Sequence, residues 1–270
     1  MAIVNDICII YVSCDKYSDL WKGYFGLFRR YWPDCPFAIY VLANSPGPDV
    51  DGVVQLAIGE DVSWSDNLLA ALPRVGHKYV LILPDDFFLI ASVPSDWVVG
   101  KMLWAVDHKA SCLRLSPDPP KPVVRFDSDV GVVPRGSLYR TSLRFSLWDK
   151  EVLRQLLKTG ESAWDFELSG SIRSDAFDGF FAIYAEPFKF ANCVIKGRWS
   201  RSALRAVRRR GVRLDVSKRP VMSAMEGLWE LAARVRSHFL LLFPHRSRRA
   251  VRSAVFRLIG RAGKTTARRA

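Results

Sequence analysis

The stretch Tyr79-Val-Leu-Ile-Leu-Pro-Asp-Asp-Phe-Phe-Leu89 combines a run of apolar side chains with two adjacent acids. Five consecutive apolar residues, from Tyr79 to Leu83, are typical of a strand that is covered on both faces, as in the middle of an α/β sheet. Asp85 and Asp86 would then lie at the carboxyl end of this strand, the edge where open α/β sheets bind ligands. The stretch therefore predicts a ligand site at the edge of a central strand.

The two adjacent acids have a chemical interpretation and a structural one. Neighbouring carboxylates repel each other unless a cation shares their site, and a divalent ion held by oxygen ligands is the usual solution. Such an ion can also bind a diphosphate, which favours an enzyme that uses a nucleotide-sugar. Alternatively, the acids only cap a helix or fill a turn, because short acidic side chains accept hydrogen bonds from free backbone amides.

The rest of the chain extends the α/β pattern. Between Ile7 and Leu83 the order of predicted elements is β-α-β-β-α-β, as expected for a nucleotide-binding half-sheet with crossover helices. The predicted strands are Ile7–Val12, Phe37–Leu42, Val53–Ala57 and Tyr79–Leu83, with later strands at Phe180–Tyr184 and Phe190–Ile195. Apolar periodicity predicts helices before Pro33, from Ser65 to Val75 and from Ser146 to Leu157.

Charge is distributed unevenly along the chain. Residues 196–270 contain 21 Lys and Arg against three Asp and Glu, whereas residues 1–195 contain 19 against 24. We therefore predict a mildly acidic globular domain over residues 1–199 and a basic helical extension over residues 200–270.

Composition also bears on the compartment. The five cysteines are scattered without a C-x-x-C pair, which is typical of a reduced cytoplasmic protein and argues against a disulfide framework or a zinc site. The sequence has neither a signal-peptide pattern nor an apolar run of about 20 residues. We expect a cytoplasmic protein that is soluble or bound to the inner face of the cell membrane.

The basic extension has three possible partners. Val251, Val255 and Leu258 fall on one helical face and arginines such as Arg252 fall largely off it, which favours the surface of an anionic membrane. Nucleic acid is a weaker alternative, because the globular domain is acidic and no nucleic-acid-binding module is recognisable, so none is expected as a partner. In the third interpretation the apolar faces pack on the globular domain and the arginines are solvated.

Several motifs occur in the order found in a known family. The set resembles bacterial GT-A-type glycosyltransferases that build surface polysaccharides such as capsule and O-antigen, and it covers roughly Ile3 to Trp199. The motifs are Cys14-Asp-Lys-Tyr, Tyr31-Trp-Pro-Asp-Cys-Pro, Trp64-Ser, Leu83-Pro-Asp-Asp-Phe-Phe-Leu89, Trp164-Asp-Phe-Glu167 and Lys196-Gly-Arg-Trp199. The resemblance implies a GT-A-like, Rossmann-type mixed sheet flanked by helices.

The resemblance also implies a donor site with a divalent cation, Mn²⁺ or Mg²⁺, held by a D-x-D-type motif. In this sequence Pro84 occupies the first position of that triplet, so the motif is incomplete. Asp86 is assigned to the metal. Asp85 would contact the ribose or support the metal through water. A cation of this kind stabilises the charge that develops on a departing diphosphate.

Other polar residues receive donor-site roles from the same resemblance. Asp15 or Asp66 would accept a hydrogen bond from the nucleobase, with helix capping as the alternative for each. Lys196 and Arg198 would neutralise the leaving diphosphate, with an ordinary surface position as the alternative.

Transfer with inversion needs a carboxylate that removes the proton from the acceptor hydroxyl. Asp165 and Glu167 are the predicted catalytic residues, because an extended segment would place both acids on one face and Phe166 on the other. The alternative is a surface loop with solvated acids.

These observations predict a glycosyltransferase that moves a sugar from a nucleotide-sugar donor to a saccharide or lipid-linked acceptor. A sugar nucleotidyltransferase would need a Gly-rich phosphate loop after the first strand, which Ser13-Cys-Asp-Lys-Tyr17 does not provide. A non-catalytic binding protein with a basic tail is the other alternative.

Overall fold

A computed structural model describes residues 3–117, 122 and 124–228 of the chain. The strands are β1 Ile7–Val12, β2 Ala38–Ala43, β3 Val53–Ala57, β4 Tyr79–Pro84, β5 Phe87–Leu89, β6 Cys112–Arg114, β7 Val124–Arg125, β8 Val130–Val132, β9 Ser146–Asp149, β10 Phe180–Ile183, β11 Phe190–Asn192, β12 Val194–Ile195 and β13 Arg198–Trp199. The α-helices are α1 Ser18–Tyr31, α2 Trp64–Ala71, α3 Ser95–Asp107, α4 Lys150–Leu156, α5 Ala163–Asp165, α6 Ser171–Arg173 and α7 Arg201–Arg208.

Nine of these strands form one mixed sheet in the order β3-β2-β1-β4-β9-β6-β10-β8-β7. Strands β1 to β4 are mutually parallel, and β9 runs antiparallel to both of its neighbours, β4 and β6. The structure therefore confirms the prediction of a Rossmann-type mixed sheet flanked by helices. It also confirms the predicted β-α-β-β-α-β order of the first half of the chain.

The core lies on both faces of this sheet, because side chains alternate along a strand. In β1, Ile7, Ile9 and Tyr11 pack into one buried cluster together with the apolar face of α1. Cys8 and Ile10 point to the other face, where α2 and α4 cover them. This double cover explains why every residue of β1 and nearly every residue of β4 is buried. All five cysteines are free in the structure.

Two local predictions were wrong. The segment from Ser146 to Leu157 is not one helix, because its first four residues form β9 between β4 and β6 and only Lys150–Leu156 is helical. The segment around Trp164 is not extended. It is helical, with α5, a π-helical turn at Phe166–Gly170 and α6 following one another directly.

The start of the predicted basic extension contacts the globular body. Ala203, Leu204 and Val207 of α7, and Leu214 after it, belong to the same buried cluster as α1. The predicted boundary between residues 199 and 200 stays a prediction, and the extension beyond residue 228 lies outside the described residues. Within the described part of the chain, no helix is both long and apolar enough to span a bilayer.

Candidate active site

The strand order creates a crevice at the carboxyl edge of the sheet. From β1 the chain moves outward through β2 and β3, and it then returns to place β4 on the opposite side of β1. In open α/β sheets such a reversal separates the connections on the two sides and leaves a ligand-binding crevice between the strand ends. Ser13 follows β1 and Asp85 follows β4, and the Ser13 hydroxyl donates to Asp85 Oδ2 across this crevice at 3.2 Å.

Asp85 and Asp86 form the turn between β4 and β5, and both are half-buried. The backbone of the turn is fixed on two sides. The hydroxyl of buried Tyr11 donates to the Asp85 carbonyl at 3.1 Å, and the Cys193 amide donates to the Asp86 carbonyl at 2.7 Å. Trp21 Nε1 donates to the Ser13 hydroxyl at 3.0 Å and so helps to hold this hydroxyl against the Asp85 carboxylate.

The electrostatics of this turn are unfavourable for two carboxylates. Burial, and then the neighbouring charge of Asp86, raise the pKa of Asp85 to about 8, against the opposing effects of Ser13 and Arg219. Burial raises the pKa of Asp86 to about 7, and its own backbone amide acts in the opposite direction. Ionising both groups therefore costs free energy unless positive charge is added at the crevice.

A divalent cation fits this donor set. The described residues contain no group of three or more His, Cys, Asp and Glu side chains that could hold a metal. At the crevice the neighbouring carboxylates are those of Asp85 and Asp86. Mg²⁺ in particular is often held by one or two carboxylates, with water and substrate phosphates completing the shell. Asp86 and Asp85 match that pattern better than a site in which the protein supplies every ligand.

Asp15 lies in the exposed turn after β1 and binds the loop after β2. Its Oδ1 accepts from the amides of Asn44 and Ser45, both at 3.0 Å, and its Oδ2 accepts from the Ser45 hydroxyl. These hydrogen bonds, with that of the Ser45 hydroxyl the strongest, lower its pKa. The capping alternative is wrong for Asp15, because neither helical turn after β1 has a side-chain cap. Instead Asp15 joins the two loops beside the crevice.

Asp66 lies in the first turn of α2, where Ser63 and not Asp66 is the helix cap. Ser63 is the N-cap and accepts from the Asp66 amide at 3.1 Å, and its hydroxyl donates to Asp66 Oδ2 at 2.6 Å. The same oxygen accepts from the Gly160 amide at 2.8 Å. The Ser63 hydroxyl first, and then the Gly160 amide, lower the pKa of Asp66. Asp66 thus ties α2 to the loop that precedes α5.

The two predicted catalytic acids point to different surroundings, because the segment is helical. Asp165 completes a capping box with Ser162, accepting from the Ser162 amide at 3.1 Å and donating its own amide to the Ser162 hydroxyl at 3.2 Å. The Ser162 contacts lower the pKa of Asp165. Asp165 is exposed, so the alternative of a solvated acid fits its position.

Glu167 turns toward the sheet. Its Oε1 accepts from the Leu143 amide at 2.8 Å and from the Ser142 hydroxyl at 3.2 Å. Burial raises its pKa, while these donors and the charge of Arg114 oppose the rise. Leu143 lies just before β9, whose first residue, Ser146, pairs with Ile82 near the carboxyl end of β4. Glu167 therefore lies at the same edge of the sheet as Asp85 and Asp86.

Lys196 and Arg198 lie on the exposed hairpin between β12 and β13. Lys196 and Gly197 form its turn, with φ values of 51° and 74°. Arg198 Nε lies 3.3 Å from Glu226 Oε1, and both side chains are more than a third exposed. The Arg198 side chain is thus paired with Glu226 at the protein surface.

Two further residues at the edge were missed by the sequence analysis. Arg144, just before β9, and Glu186, just after β10, form an ion pair at 2.7 Å. Ser116, just after β6, donates to Glu186 at 2.8 Å, and the Arg144 guanidinium lies 4.8 Å from the Phe190 ring centre. Ser116, Arg144 and Glu186 flank three separate strands, and no local sequence pattern marks them as neighbours. Only the pairing of β6, β9 and β10 brings them together.

The edge thus has two halves. For the roles proposed below, we name Ser13, Asp85 and Asp86 the donor half, and Arg144, Glu167 and Glu186 the acceptor half. Phe145 links them: it is buried, adopts a left-handed backbone with φ 46°, and its ring contacts that of Phe87 at 5.8 Å. A non-glycine residue in this conformation carries strain, which is common at binding sites.

No protein-family model matches the chain, and no curated protein is similar to it. Among solved structures, the chain is similar to TarS 1-349 of S. aureus, at 10% identity and a TM-score of 0.42 over 68% of this chain and 59% of the other. The chain therefore spans about three fifths of that structure. The same protein in complex with UDP gives 10% identity and a TM-score of 0.44 over 79% and 67% of the two chains.

A third similar structure is bifunctional IspDF from Campylobacter jejuni, at 12% identity and a TM-score of 0.37 over 63% of this chain and 47% of the other. At TM-scores this low the similarities have no bearing on function. The function must be inferred from the geometry of the edge.

Proposed function

We propose that the protein is a glycosyltransferase that moves a sugar from a nucleotide-sugar donor to a saccharide or lipid-linked acceptor. The observation that carries the proposal is the pair of adjacent, half-buried acids Asp85 and Asp86 at the crevice between β1 and β4. Burial raises the pKa values of both carboxyl groups, so positive charge brought by a ligand would stabilise their ionised forms. A cation with a diphosphate is the ligand chemistry that supplies such charge and fits a crevice of this kind.

On the donor side, we assign Asp86 to the cation and Asp85 to its support, with the Ser13 hydroxyl holding Asp85 in place. The bound cation would offset the negative charge that develops on the leaving diphosphate. Asp15 and Asp66 would shape the nucleoside side of the crevice through the loops that they hold. Lys196 and Arg198 remain candidates for the diphosphate, because their hairpin is exposed and adjoins β11, which pairs with β5.

On the acceptor side, we assign the role of general base to Glu167. In an inverting transfer, the acceptor oxygen bonds to the anomeric carbon while the bond from that carbon to the diphosphate oxygen breaks. The proton of the acceptor hydroxyl then passes to the carboxylate. Burial raises the pKa of Glu167, which increases its basicity, whereas the Ser162 contacts lower that of Asp165. Arg144 and Glu186 would offer hydrogen bonds to acceptor hydroxyls.

Thermal stabilisation tests the donor site without knowledge of the acceptor, because a ligand that binds only the folded state raises its stability. The probes are UDP, GDP, ADP, CDP and dTDP, each with and without Mn²⁺, on the wild type and on Asp86→Asn. We expect one nucleotide to raise the Tm only with Mn²⁺, and we expect this shift to vanish in Asp86→Asn. A Tm that no nucleotide raises would contradict the proposal and favour a non-catalytic binding protein.

We further propose that the acceptor is presented at a membrane. The sequence of residues 229–270 carries the basic amphipathic pattern, and anionic lipid attracts such segments by about 1 kcal/mol for each Lys or Arg near the surface. The test is co-sedimentation of the full chain with anionic and with neutral vesicles. The variant replaces Arg249, Arg252 and Arg257 by Glu. We expect the wild type to sediment with anionic vesicles only and the variant to remain in solution. Equal sedimentation of both proteins would argue against a membrane-binding extension.

A further inference from the structure

A buried ion pair joins the C-terminal part of the described chain to the loop after β1. Arg219 Nη2 contacts Asp19 Oδ1 in the first turn of α1, and the two side chains are only 7% and 6% exposed. The same nitrogen donates to the Lys16 carbonyl at 3.1 Å. The guanidinium also lies over two aromatic rings, 4.6 Å from the centre of Tyr17 and 5.2 Å from that of Trp199.

Burying this ion pair costs desolvation free energy that an apolar contact would not cost. A buried ion pair loses its hydration, and an apolar contact of similar volume is often as stabilising. Moreover, Arg219 Nε and Asp19 Oδ2 are buried and have no hydrogen-bond partner among the described residues. Buried polar groups without partners are rare and call for an explanation beyond packing.

The position of the pair connects it to the donor half. Lys16 and Tyr17 belong to the loop that begins at Ser13, whose hydroxyl holds Asp85. Burial raises the pKa of the Tyr17 hydroxyl; the negative charge of Asp85 adds to this rise and the positive charge of Arg219 opposes it. Arg219 also acts on Asp85 directly, because its charge opposes the rise of the Asp85 pKa.

We propose that Arg219 is a positioning residue of the donor site. It fixes residues 14–19, from the turn after β1 to the first turn of α1, beside the crevice and places a permanent positive charge behind the acidic turn, so that a nucleoside diphosphate meets a preformed segment. Arg219 is buried and does not itself contact the ligand. The proposal rests on the proposed function, since it assumes that the crevice binds a nucleoside diphosphate.

The test compares Arg219→Lys and Arg219→Met in the full chain. Lysine keeps the charge but lacks the planar guanidinium that lies over the rings of Tyr17 and Trp199. The ligand is whichever of the five nucleoside diphosphates binds the wild type most tightly with Mn²⁺, and its Kd is measured by calorimetry at a temperature where every variant is folded. We expect both variants to bind it about tenfold more weakly, or worse, as for other residues that orient a site from behind it.

Arg210→Met is the matched control. Arg210 also anchors the C-terminal segment, because it donates to the Ile90 carbonyl at 2.6 Å and to the Ala206 carbonyl at 2.7 Å. Neither of these partners belongs to residues 14–19 or to the acidic turn. We expect its substitution to lower the Tm and leave the Kd unchanged. Hydrogen exchange of the amides of residues 14–19 should rise in both Arg219 variants and stay unchanged in Arg210→Met.

The outcomes separate this inference from the proposed function. If the wild type binds none of the nucleotides, the proposed function and the positioning role both fail. If the wild type binds and both Arg219 variants have the same Kd, only the positioning role of Arg219 is overturned. An equal loss of affinity in Arg210→Met would also overturn it, because the effect would then come from general destabilisation.

Discussion

The two halves of the carboxyl edge differ in how much the protein itself stabilises their carboxylates. In the donor half, Asp85 and Asp86 are adjacent and their pKa values are raised to about 8 and about 7. In the acceptor half, Glu186 is neutralised by Arg144 at 2.7 Å, and Glu167 accepts two hydrogen bonds from the segment before β9. Protein groups therefore partner both acids of the acceptor half, whereas in the donor half the Ser13 hydroxyl and the charge of Arg219 leave the pKa of Asp85 raised.

The largest expected effect follows from removing a carboxylate of the donor half. Asp86→Asn should lower sugar transfer by at least about 100-fold, since the turn then has only one ionisable group for the cation. The measurement is kcat/KM for release of the nucleoside diphosphate from the donor. The control is Asp34→Asn, which alters an exposed acid away from the edge. A variant with more than half of the wild-type kcat/KM would mean that the donor half is not where the diphosphate binds.

A smaller and different effect is expected in the acceptor half. Arg144→Met and Glu186→Gln should each lower kcat/KM for the acceptor by about tenfold, because each removes one member of a preorganised contact. The Kd of the nucleoside diphosphate should not change. Arg135→Met is the control, because Arg135 forms a comparable pair with Asp178 at 2.9 Å that is largely exposed. A rise in the nucleotide Kd that matches the loss of activity would remove the distinction between the two halves.

The sequence predicts the donor half better than the acceptor half for a physical reason. Asp85 and Asp86 follow directly on a strand whose burial shows in its own residues, so one local stretch defines both the strand and its edge. The Arg144–Glu186 pair depends on β9, a strand of four residues inserted between β4 and β6. Its apolar residues also fit the periodicity of the helix that follows, and only the pairing with both neighbours makes the segment a strand.

Other residues near the crevice also divide into those marked by a local sequence pattern and those brought together only by the fold. The capping box of Ser162 and Asp165 is a local Ser-x-x-acid pattern, and its recognition would have predicted the helix there. Asp15 binds a loop 29 residues away in sequence, and Arg219 binds a residue 200 positions away. No local pattern encodes such contacts. They also mean that a chain ended near Trp199 would lose the contact of Arg219 with Asp19 together with the basic extension.

The pH dependence of folding stability tests the electrostatics of the donor half without any ligand. The folded pKa of Asp85, about 8, lies above the ordinary value of 3.8, so the folded state binds more protons than the unfolded state between these values. Stability therefore falls as pH rises through this range. Without metal, Asp85→Asn should have a higher Tm than the wild type at pH 8, and the difference should shrink toward pH 4.

The measurement is the Tm of both proteins across this pH range in the presence of a chelator, repeated with Mn²⁺. Mn²⁺ should raise the Tm of the wild type at pH 8 and have little effect on Asp85→Asn. Parallel pH profiles of the two proteins without metal would show that Asp85 ionises freely and that the donor half carries no electrostatic cost.

The smallest expected effect distinguishes the two acids of the 162–167 segment. Asp165→Asn should change kcat by less than about threefold and lower stability only slightly, because Asp165 lies exposed in a capping box and an amide oxygen replaces its contact in part. Glu167→Gln serves as the paired variant, because the Glu167 side chain accepts two hydrogen bonds in the acceptor half. It should remove most of the kcat while the nucleotide Kd stays unchanged.

Because burial raises the pKa of Glu167, the wild-type kcat should rise with pH through that pKa, as the carboxylate becomes available to accept the proton. Glu167→Gln should lack this acidic limb and Asp165→Asn should retain it. The reverse result, in which Asp165→Asn loses activity and the acidic limb together, would transfer the role of base to Asp165. The helix cap would then have to open before catalysis, since both contacts with Ser162 occupy the Asp165 carboxylate in the folded protein.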